Sequence, residues 1–307
     1  MILNPANLPE LSRQLAAAFG RVTGVDLGAL NRLVEHTPED MTVTVEAGMT
    51  LAALQAQLKQ RGQWLPVDPP NPERLTISDL INTNATGPRR FGCGTVRDYL
   101  IGITVVLADG SVIHSGGKVV KNVAGYDLAK LFIGSRGSLG VVVEATFKLQ
   151  PLPEVEQFVQ AQCASLEEAG LLIEAVIDSE ITPVVLDLFS SVAQNFTVVL
   201  GFAGTRADVV WQLSKAGGLG FTEAASLDYE VTFWADSRPA HQVSVLPSKI
   251  IEAIRGLAGA PFVARAGNGV IHHRGAPAPH NGDLPLELMR RVKNAFDPNR
   301  ILPDFPL

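Results

Sequence analysis

Between Thr76 and Leu149 the chain alternates short apolar runs with glycines at Gly87, Gly92, Gly94, Gly102, Gly116, Gly117, Gly125, Gly134, Gly137 and Gly140. This alternation constrains the fold more than any other feature. The run Ile101–Ala108 has strand length and is too short to cross a membrane. With Ser111–His114 it flanks Asp109-Gly110, a hairpin signal. Leu139–Leu149 reads as a further strand, stopped by Pro151 and Pro153. Glycine-rich loops between such strands let backbone N–H groups come close to an extended anionic ligand. The same glycines also serve ordinary turns, and their density alone does not separate the two uses.

The flanking sequence adds helices. Leu8–Phe19 reads as one, with Asn7 near its start and Gly20 beyond its end. Met41–Ala47 is β-rich. Leu51, Leu54 and Leu58 share a helical face, with Gly62 as the stop. Pro66, Pro69, Pro70 and Pro72 impose an irregular stretch, and Tyr126–Phe132 is a short helix. Beyond Pro153, the segments Gln157–Gln162, Val184–Phe189, Phe196–Phe202, His241–Leu246 and Val270–His273 read as strands. Ser165-Leu166-Glu167-Glu168 fits a capping box opening a helix to about Asp178. Ala207–Lys215, Lys249–Leu257 capped by Ser248, and Leu284–Phe296 complete the helices. A chain of 307 residues can bury two cores. We place the boundary at the proline pair, giving residues 1–153 and 154–307, and the class is α+β.

Several chemistries are excluded. No GxGxxG follows the first strand, and neither GxxxxGK[ST] nor GxSxG occurs. Cys93 and Cys163 are the only cysteines and lie far apart, so this chain alone does not carry an iron–sulfur cluster or structural zinc. So few cysteines suit a reducing compartment. A net charge of −6 without a basic stripe argues against a nucleic-acid partner. Met1–Glu10 lacks the order of a signal peptide, and no apolar run has transmembrane length. The expectation is a cytoplasmic chain.

Four motifs follow one another: Thr76-Ile77-Ser78-Asp79-Leu80-Ile81-Asn82-Thr83-Asn84-Ala85-Thr86-Gly87-Pro88-Arg89-Arg90-Phe91-Gly92 with Thr95-Val96-Arg97-Asp98; Val105-Val106-Leu107-Ala108-Asp109-Gly110; Lys121-Asn122-Val123-Ala124-Gly125-Tyr126-Asp127-Leu128; and Gly134-Ser135-Arg136-Gly137-Ser138-Leu139-Gly140-Val141-Val142. In this order they resemble the vanillyl-alcohol-oxidase-type (PCMH-type) FAD-binding family, and within it the subunit-E family of bacterial glycolate dehydrogenases (glycolate oxidases). The resemblance runs from about Val25 to Pro153 and more weakly to the C-terminus, where Asp297-Pro298-Asn299-Arg300-Ile301-Leu302 looks like the family's closing segment.

The resemblance implies an FAD-binding PCMH-type domain, an α+β substrate or cap-like domain, and FAD as cofactor. It implies that Ile77, Ser78, Asn82, Asn84 and Gly87 run beside the isoalloxazine and pyrophosphate, and that Gly92, Arg97 and Asp98 shape the next turn. Lys121, Asn122, Gly125 and Tyr126 would line the flavin side of the cleft. Gly137, Leu139, Gly140 and Val141 would hold the adenine or ribose end through backbone contacts. A bulky residue at Gly125 or Gly140 is expected to abolish flavin binding without unfolding the chain. The implied function is oxidation of glycolate or a related 2-hydroxy acid. Electrons would pass to partners, a catalytic flavoprotein subunit and an iron–sulfur subunit, in a complex docked at the inner face of a membrane.

Two departures bear on the cofactor. The family carries a strand and glycine-rich pyrophosphate loop after the first helix, where this chain has only Arg21–Gly24 before Val25. A Gly-Gly pair is usual where this chain has Ser78-Asp79, and an aspartate there repels a dianion. The alternative is therefore a non-flavin partner subunit keeping scaffold and assembly surface; a stand-alone flavin dehydrogenase is a third reading. In the second half, a carboxylate anchor and a base are sought among Arg265, His272, His273 and Arg274. Arg265–His272 looks like the metal-binding HAGDGNxH segment of the related D subunit. Arg265 and Asn268 replace its first His and its Asp, which implies no metal. His272-His273 reads as a strand edge with one ring packed and one exposed, Arg89-Arg90 as a solvated pair, and Cys93 as a small buried residue.

Overall fold

The computed structural model describes residues 1–117, 127–191, 195–277 and 285–305. Strands β1 (Ile2–Leu3) and β2 (Gly24–Val25) form a short parallel pair joined by α1 (Leu8–Ala16). The Asn7 side chain accepts the Glu10 N–H at 3.0 Å, which starts α1, and Leu11 and Leu15 bury its inner face. The helix ends before Phe19, which is fully exposed. Residues 17–23 lead straight from α1 to β2 with no strand between, as the short Arg21–Gly24 spacer implies.

The first half is completed by β3 (Leu33–Thr37), β4 (Thr42–Glu46), α2 (Leu51–Lys59), β5 (Gln63–Trp64), α3 (Ile77–Thr83), α4 (Arg90–Cys93), α5 (Val96–Tyr99), β6 (Leu100–Val106), β7 (Val112–Gly116), α6 (Ala129–Phe132), β8 (Val141–Lys148) and β9 (Gln150–Pro151). A five-stranded antiparallel sheet runs in the order β3-β4-β8-β6-β7. Every residue of β4 is buried, so its threonines need partners. Thr44 and Thr146 share a hydroxyl hydrogen bond of 2.9 Å across β4 and β8. Leu51, Leu54 and Leu58 bury α2 against this core. Gly62, at φ +67°, takes the chain out of the helix.

The second half contains β10 (Val155–Cys163), α7 (Leu166–Ile177), β11 (Val185–Ser190), β12 (Phe196–Gly204), α8 (Arg206–Gly218), β13 (Glu223–Ala224), α9 (Asp228–Ala235), β14 (His241–Ser244), α10 (Ile250–Arg255), β15 (Phe262–Arg265), β16 (Val270–His273) and α11 (Leu286–Phe296). Its seven-stranded antiparallel sheet has the order β13-β10-β12-β11-β15-β16-β14. Ser165 caps α7 as its spacing predicts, accepting the Glu168 N–H at 3.1 Å. The reciprocal Glu168 bond goes to the Ala164 N–H, one residue before the cap. Two expectations are corrected. Ser248 is no cap: it lies inside a 3-10 turn over Pro247–Lys249, and α10 starts without a side-chain cap. His272 and His273 are not on a sheet edge, because β16 is flanked by β15 and β14, and His273 is fully buried.

The class is α+β. One hydrophobic core draws on Leu3 to Leu149 together with Ile301 and Leu302, and a second on Ala161 to Ile271. The C-terminal segment thus returns to the first core.

Candidate functional site

The Thr76–Gly87 run folds as α3 and the turn after it. Its N-terminus is closed by the chain itself. Thr76 Oγ1 accepts the Asp79 N–H at 3.0 Å, while Asp79 Oδ2 accepts the Thr76 hydroxyl at 2.6 Å and the Thr76 N–H at 3.3 Å. The Ile77 N–H donates to the Met49 carbonyl at 2.9 Å and the Ser78 N–H to the Ala47 carbonyl at 2.8 Å. The amides that open the helix therefore all have protein acceptors, and none is left for a phosphate. Asp79, read from sequence as a charge facing the cofactor, is the reciprocal half of a capping box and points to solvent.

The other end of α3 differs. The Asn82 amide donates to Ser78 Oγ at 3.2 Å, and the carbonyls of Ile81 and Asn82 accept the N–H groups of Gly134 and Arg136, each at 2.9 Å. This brings Ser78, Asn82 and Asn84 against the Gly134–Gly137 loop. Asn84 ends the helix at φ 51°, and its Oδ1 is buried with no hydrogen-bond partner among the described residues. No described atom lies within 4 Å of a Cβ added at Gly137, so that stretch of backbone is open among the described residues.

Three glycines expected at the cofactor are instead filled by protein. A Cβ at Gly87 would lie 1.9 Å from the Asp68 carbonyl oxygen, one at Gly92 2.6 Å from Val184 Cα, and one at Gly140 2.5 Å from Val105 Cγ1. Ile77, Leu139 and Val141 are core residues. Asp98 caps α5 through the Thr95 N–H at 2.8 Å, and Arg97 is exposed. Gly140 is thus a packing position, and a bulky residue there is expected to disturb the core rather than to act on flavin alone. Lys121, Asn122, Gly125 and Tyr126 lie outside the described residues.

Charged groups gather where the two cores meet. Arg89 is not solvated. Its guanidinium donates to Asp68 Oδ2 at 2.8 Å and to both Glu156 oxygens at 2.6 Å, tying α4 to β10. Arg265, read as a carboxylate anchor, is 1% exposed and donates to Asp187 and, at 2.6 and 2.9 Å, to Glu230. The Tyr229 hydroxyl donates to Asp187 at 2.7 Å and the Trp234 indole to Glu230 at 2.9 Å. Arg274 donates to the carbonyls of Phe233 and Arg238 and stacks over Phe233. Burial and the nearby Arg265 and Arg90 charges hold His272 down to about 3, so its ring is neutral. Burial also pushes Cys93 up to about 11, which leaves it thiol at neutral pH and no nucleophile. Alkylation of Cys93 by iodoacetamide at neutral pH, followed by mass spectrometry, is expected to be far slower than that of a free thiol. The acids Asp68, Glu156, Asp187 and Glu230 carried no local sequence signal, because each meets its arginine across a long stretch of chain.

Residues 11–116 match the FAD binding domain family, and residues 271–303 match the C-terminal domain of FAD linked oxidases. Glycolate oxidase subunit GlcD of Bacillus subtilis is 39% identical over 158 residues, covering 52% of this chain and 34% of that protein. Glycolate oxidase subunit GlcE of Escherichia coli is 37% identical over 157 residues, 50% of this chain and 45% of that one. The mitochondrial D-lactate dehydrogenase [cytochrome] of Arabidopsis thaliana is 29% identical over 206 residues, 67% and 33%. The matched stretches thus span less than half the length of these relatives. Among solved structures, an alkyldihydroxyacetonephosphate synthase superposes with a TM-score of 0.71 at 14% identity, covering 98% of this chain and 76% of that one, a likeness of fold. This chain therefore carries an FAD binding domain match over residues 11–116 and an FAD linked oxidase C-terminal match over residues 271–303, which together support FAD as its cofactor.

Proposed function

We propose that the chain is the FAD-binding subunit of a complex that oxidises glycolate or a related small 2-hydroxy acid. Residues 1–153 would bind the cofactor and residues 154–307 would cover the substrate side. The observation that carries the reading is the junction of α3 with the Gly134–Gly137 loop, where Asn84 Oδ1 is buried with no partner among the described residues, beside open backbone. A buried polar atom costs stability unless something meets it, and a ligand's polar edge is such a partner. Ser78, Asn82, Asn84 and Gly137 would line that edge. Lys121, Asn122, Gly125 and Tyr126 remain the family's expectation for the flavin side. When bound, FAD supplies a two-electron acceptor for the alcohol carbon. The names of the two glycolate oxidase subunits and the D-lactate dehydrogenase support the substrate class. Two separated cysteines leave no iron–sulfur relay within these 307 residues, which supports partner subunits for onward electron transfer. Among the described residues no helix is long and apolar enough to cross a membrane.

A second reading, a non-flavin partner subunit, is favoured by the closed α3 N-terminus and by the direct run from α1 to β2. A visible spectrum after desalting separates the two. The expected result is a flavin band that stays with the protein; its absence from a folded sample after incubation with FAD supports the second reading. The variant Asp79→Gly is expected to lower stability by about 1 kcal/mol, the usual worth of a cap, and to leave flavin retention unchanged. Increased retention would place the phosphates at the α3 N-terminus.

A further inference from the structure

Leu286, Met289, Arg290, Lys293 and Asn294 recur along α11 at the spacing that puts them on one side of a helix. That side meets the chain's own closing segment. The Asp297 oxygens accept the N–H groups of Ile301 and Leu302, and Arg300 takes a left-handed φ of 52°, so the chain doubles back after α11. Between helix and segment lies a cavity of about 240 Å³, lined by those five residues and by Arg300, Asp304 and Phe305. It lies below the usual range of drug-sized sites and suits a small ligand.

The charges around this cavity do not cancel. Lys293 gives its ammonium to Asp297 and to the carbonyls of Ser138 and Leu302, so only its stem serves the wall. Asp304, the one acid of the lining, is paired with Arg21 at 3.1 Å. Arg290, Arg300 and Asn294 are exposed, and their side chains have no hydrogen-bond or ion-pair partner among the described residues. Two guanidinium groups thus line one cavity whose only acid is already engaged, in a chain of net charge −6. The rest of the wall is apolar: Leu286, Met289 and Phe305, the last of which packs against the first core. Two forks of N–H donors match the oxygens of a dianion, and the apolar wall matches a short hydrocarbon group or a ring. A phosphomonoester carries both parts, whereas a carboxylate brings one charge to two cations.

We infer that the cavity between α11 and the closing segment binds the phosphate group of a phosphomonoester with a small apolar substituent, held by Arg290, Arg300 and Asn294. The inference stands whether or not the chain binds flavin. The full chain as purified is titrated with phenyl phosphate by calorimetry in phosphate-free buffer, with and without FAD. One saturable site is expected. Arg290→Gln and Arg300→Gln should each weaken it by at least about tenfold, the worth of a charge-assisted hydrogen bond. Arg291→Gln should leave it unchanged, because Arg291 is exposed on the same helix but does not line the cavity. Inorganic phosphate, which lacks the apolar part, should bind less tightly, and phenol should not bind. Co-sedimentation with phosphatidylcholine vesicles containing phosphatidate separates two sources of the ester. Pelleting that Arg290→Gln abolishes assigns the site to a lipid headgroup, and binding of phenyl phosphate without pelleting assigns it to a soluble ester. Near-ultraviolet circular dichroism checks that the variants fold. Absence of saturation with phenyl phosphate, parental affinity in folded Arg290→Gln and Arg300→Gln, or an equal loss in Arg291→Gln overturns the inference. Competition by FAD also overturns it, since the cavity would then be part of the cofactor site.

Discussion

Arg265→Ala is expected to destabilise the protein by about 3–5 kcal/mol, a large part of a typical domain's stability. The guanidinium is 1% exposed and stands between Asp187 and Glu230, which are themselves held by Tyr229 and Trp234. Removing it leaves two carboxyl groups in the interior with no cation. Burial already raises Asp187 from 3.8 to about 7 with Arg265 present, and the Glu230 charge adds to that rise. The direction of the pH dependence follows. A carboxyl whose folded pKa lies above its unfolded value favours folding most below the unfolded value, here near 3.8, and that contribution is lost as pH rises through about 7. Without Arg265 the rise grows, so the deficit of the variant should be smaller at about pH 5 than at about pH 8. Urea denaturation at both pH values measures this. A deficit below about 1 kcal/mol, or one that grows on acidification, would show that the cluster is solvated.

The parts of the fold legible in sequence were those fixed by local chemistry. Asn7, Ser165 and the Leu51-Leu54-Leu58 face each act within a few residues, and α1, α7 and α2 stand where those signals put them. β16 has the bounds read from sequence. The missed elements had conflicting signals. α9 is rich in β-branched and aromatic residues, which favour strands, and it is helical because Phe233 packs inward while Glu230 reaches Arg265.

The candidate site was less legible because its chemistry is long-range. Arg89 and Arg90 are adjacent and look alike in sequence. One is buried by Asp68 and Glu156, 21 and 67 residues away, and the other has no such partner among the described residues. The sequence places Gly87 beside the cofactor, Gly92 in the next turn and Gly140 at backbone contacts to the nucleotide, yet the space at these three is taken by Asp68, Val184 and Val105. One missed signal was present: Thr76-Ile77-Ser78-Asp79 has capping-box spacing, and it shows that Asp79 can be satisfied without a cofactor.

Asp297→Ala is expected to cost about 3–5 kcal/mol and to release the C-terminal segment from the first core. Asp297 is fully buried. Its oxygens accept the Lys293 ammonium at 2.6 Å and the N–H groups of Ile301 and Leu302, each at 2.8 Å. Lys293 in turn donates to the carbonyls of Ser138 at 2.8 Å and Leu302 at 3.2 Å. The Ile301 carbonyl accepts the Val22 N–H at 2.7 Å, and the Ile301 and Leu302 side chains lie in the core built by residues 3 to 149. One carboxylate thus joins α11, the closing segment and the loop that precedes β8. Alanine leaves a buried ammonium without its counter-charge and two amides without acceptors, each loss costly in the interior. Lys293→Met, which removes the cation and keeps an apolar stem, should cost as much alone because Asp297 is then the unpaired charge. The double variant should cost clearly less than the sum of the two, since only the first change breaks the pair. Chemical denaturation of the three variants gives the coupling, and limited proteolysis near Arg300 reports detachment. Additive losses would show that the two side chains act independently, and the segment would then be held by Ile301 and Leu302 packing alone.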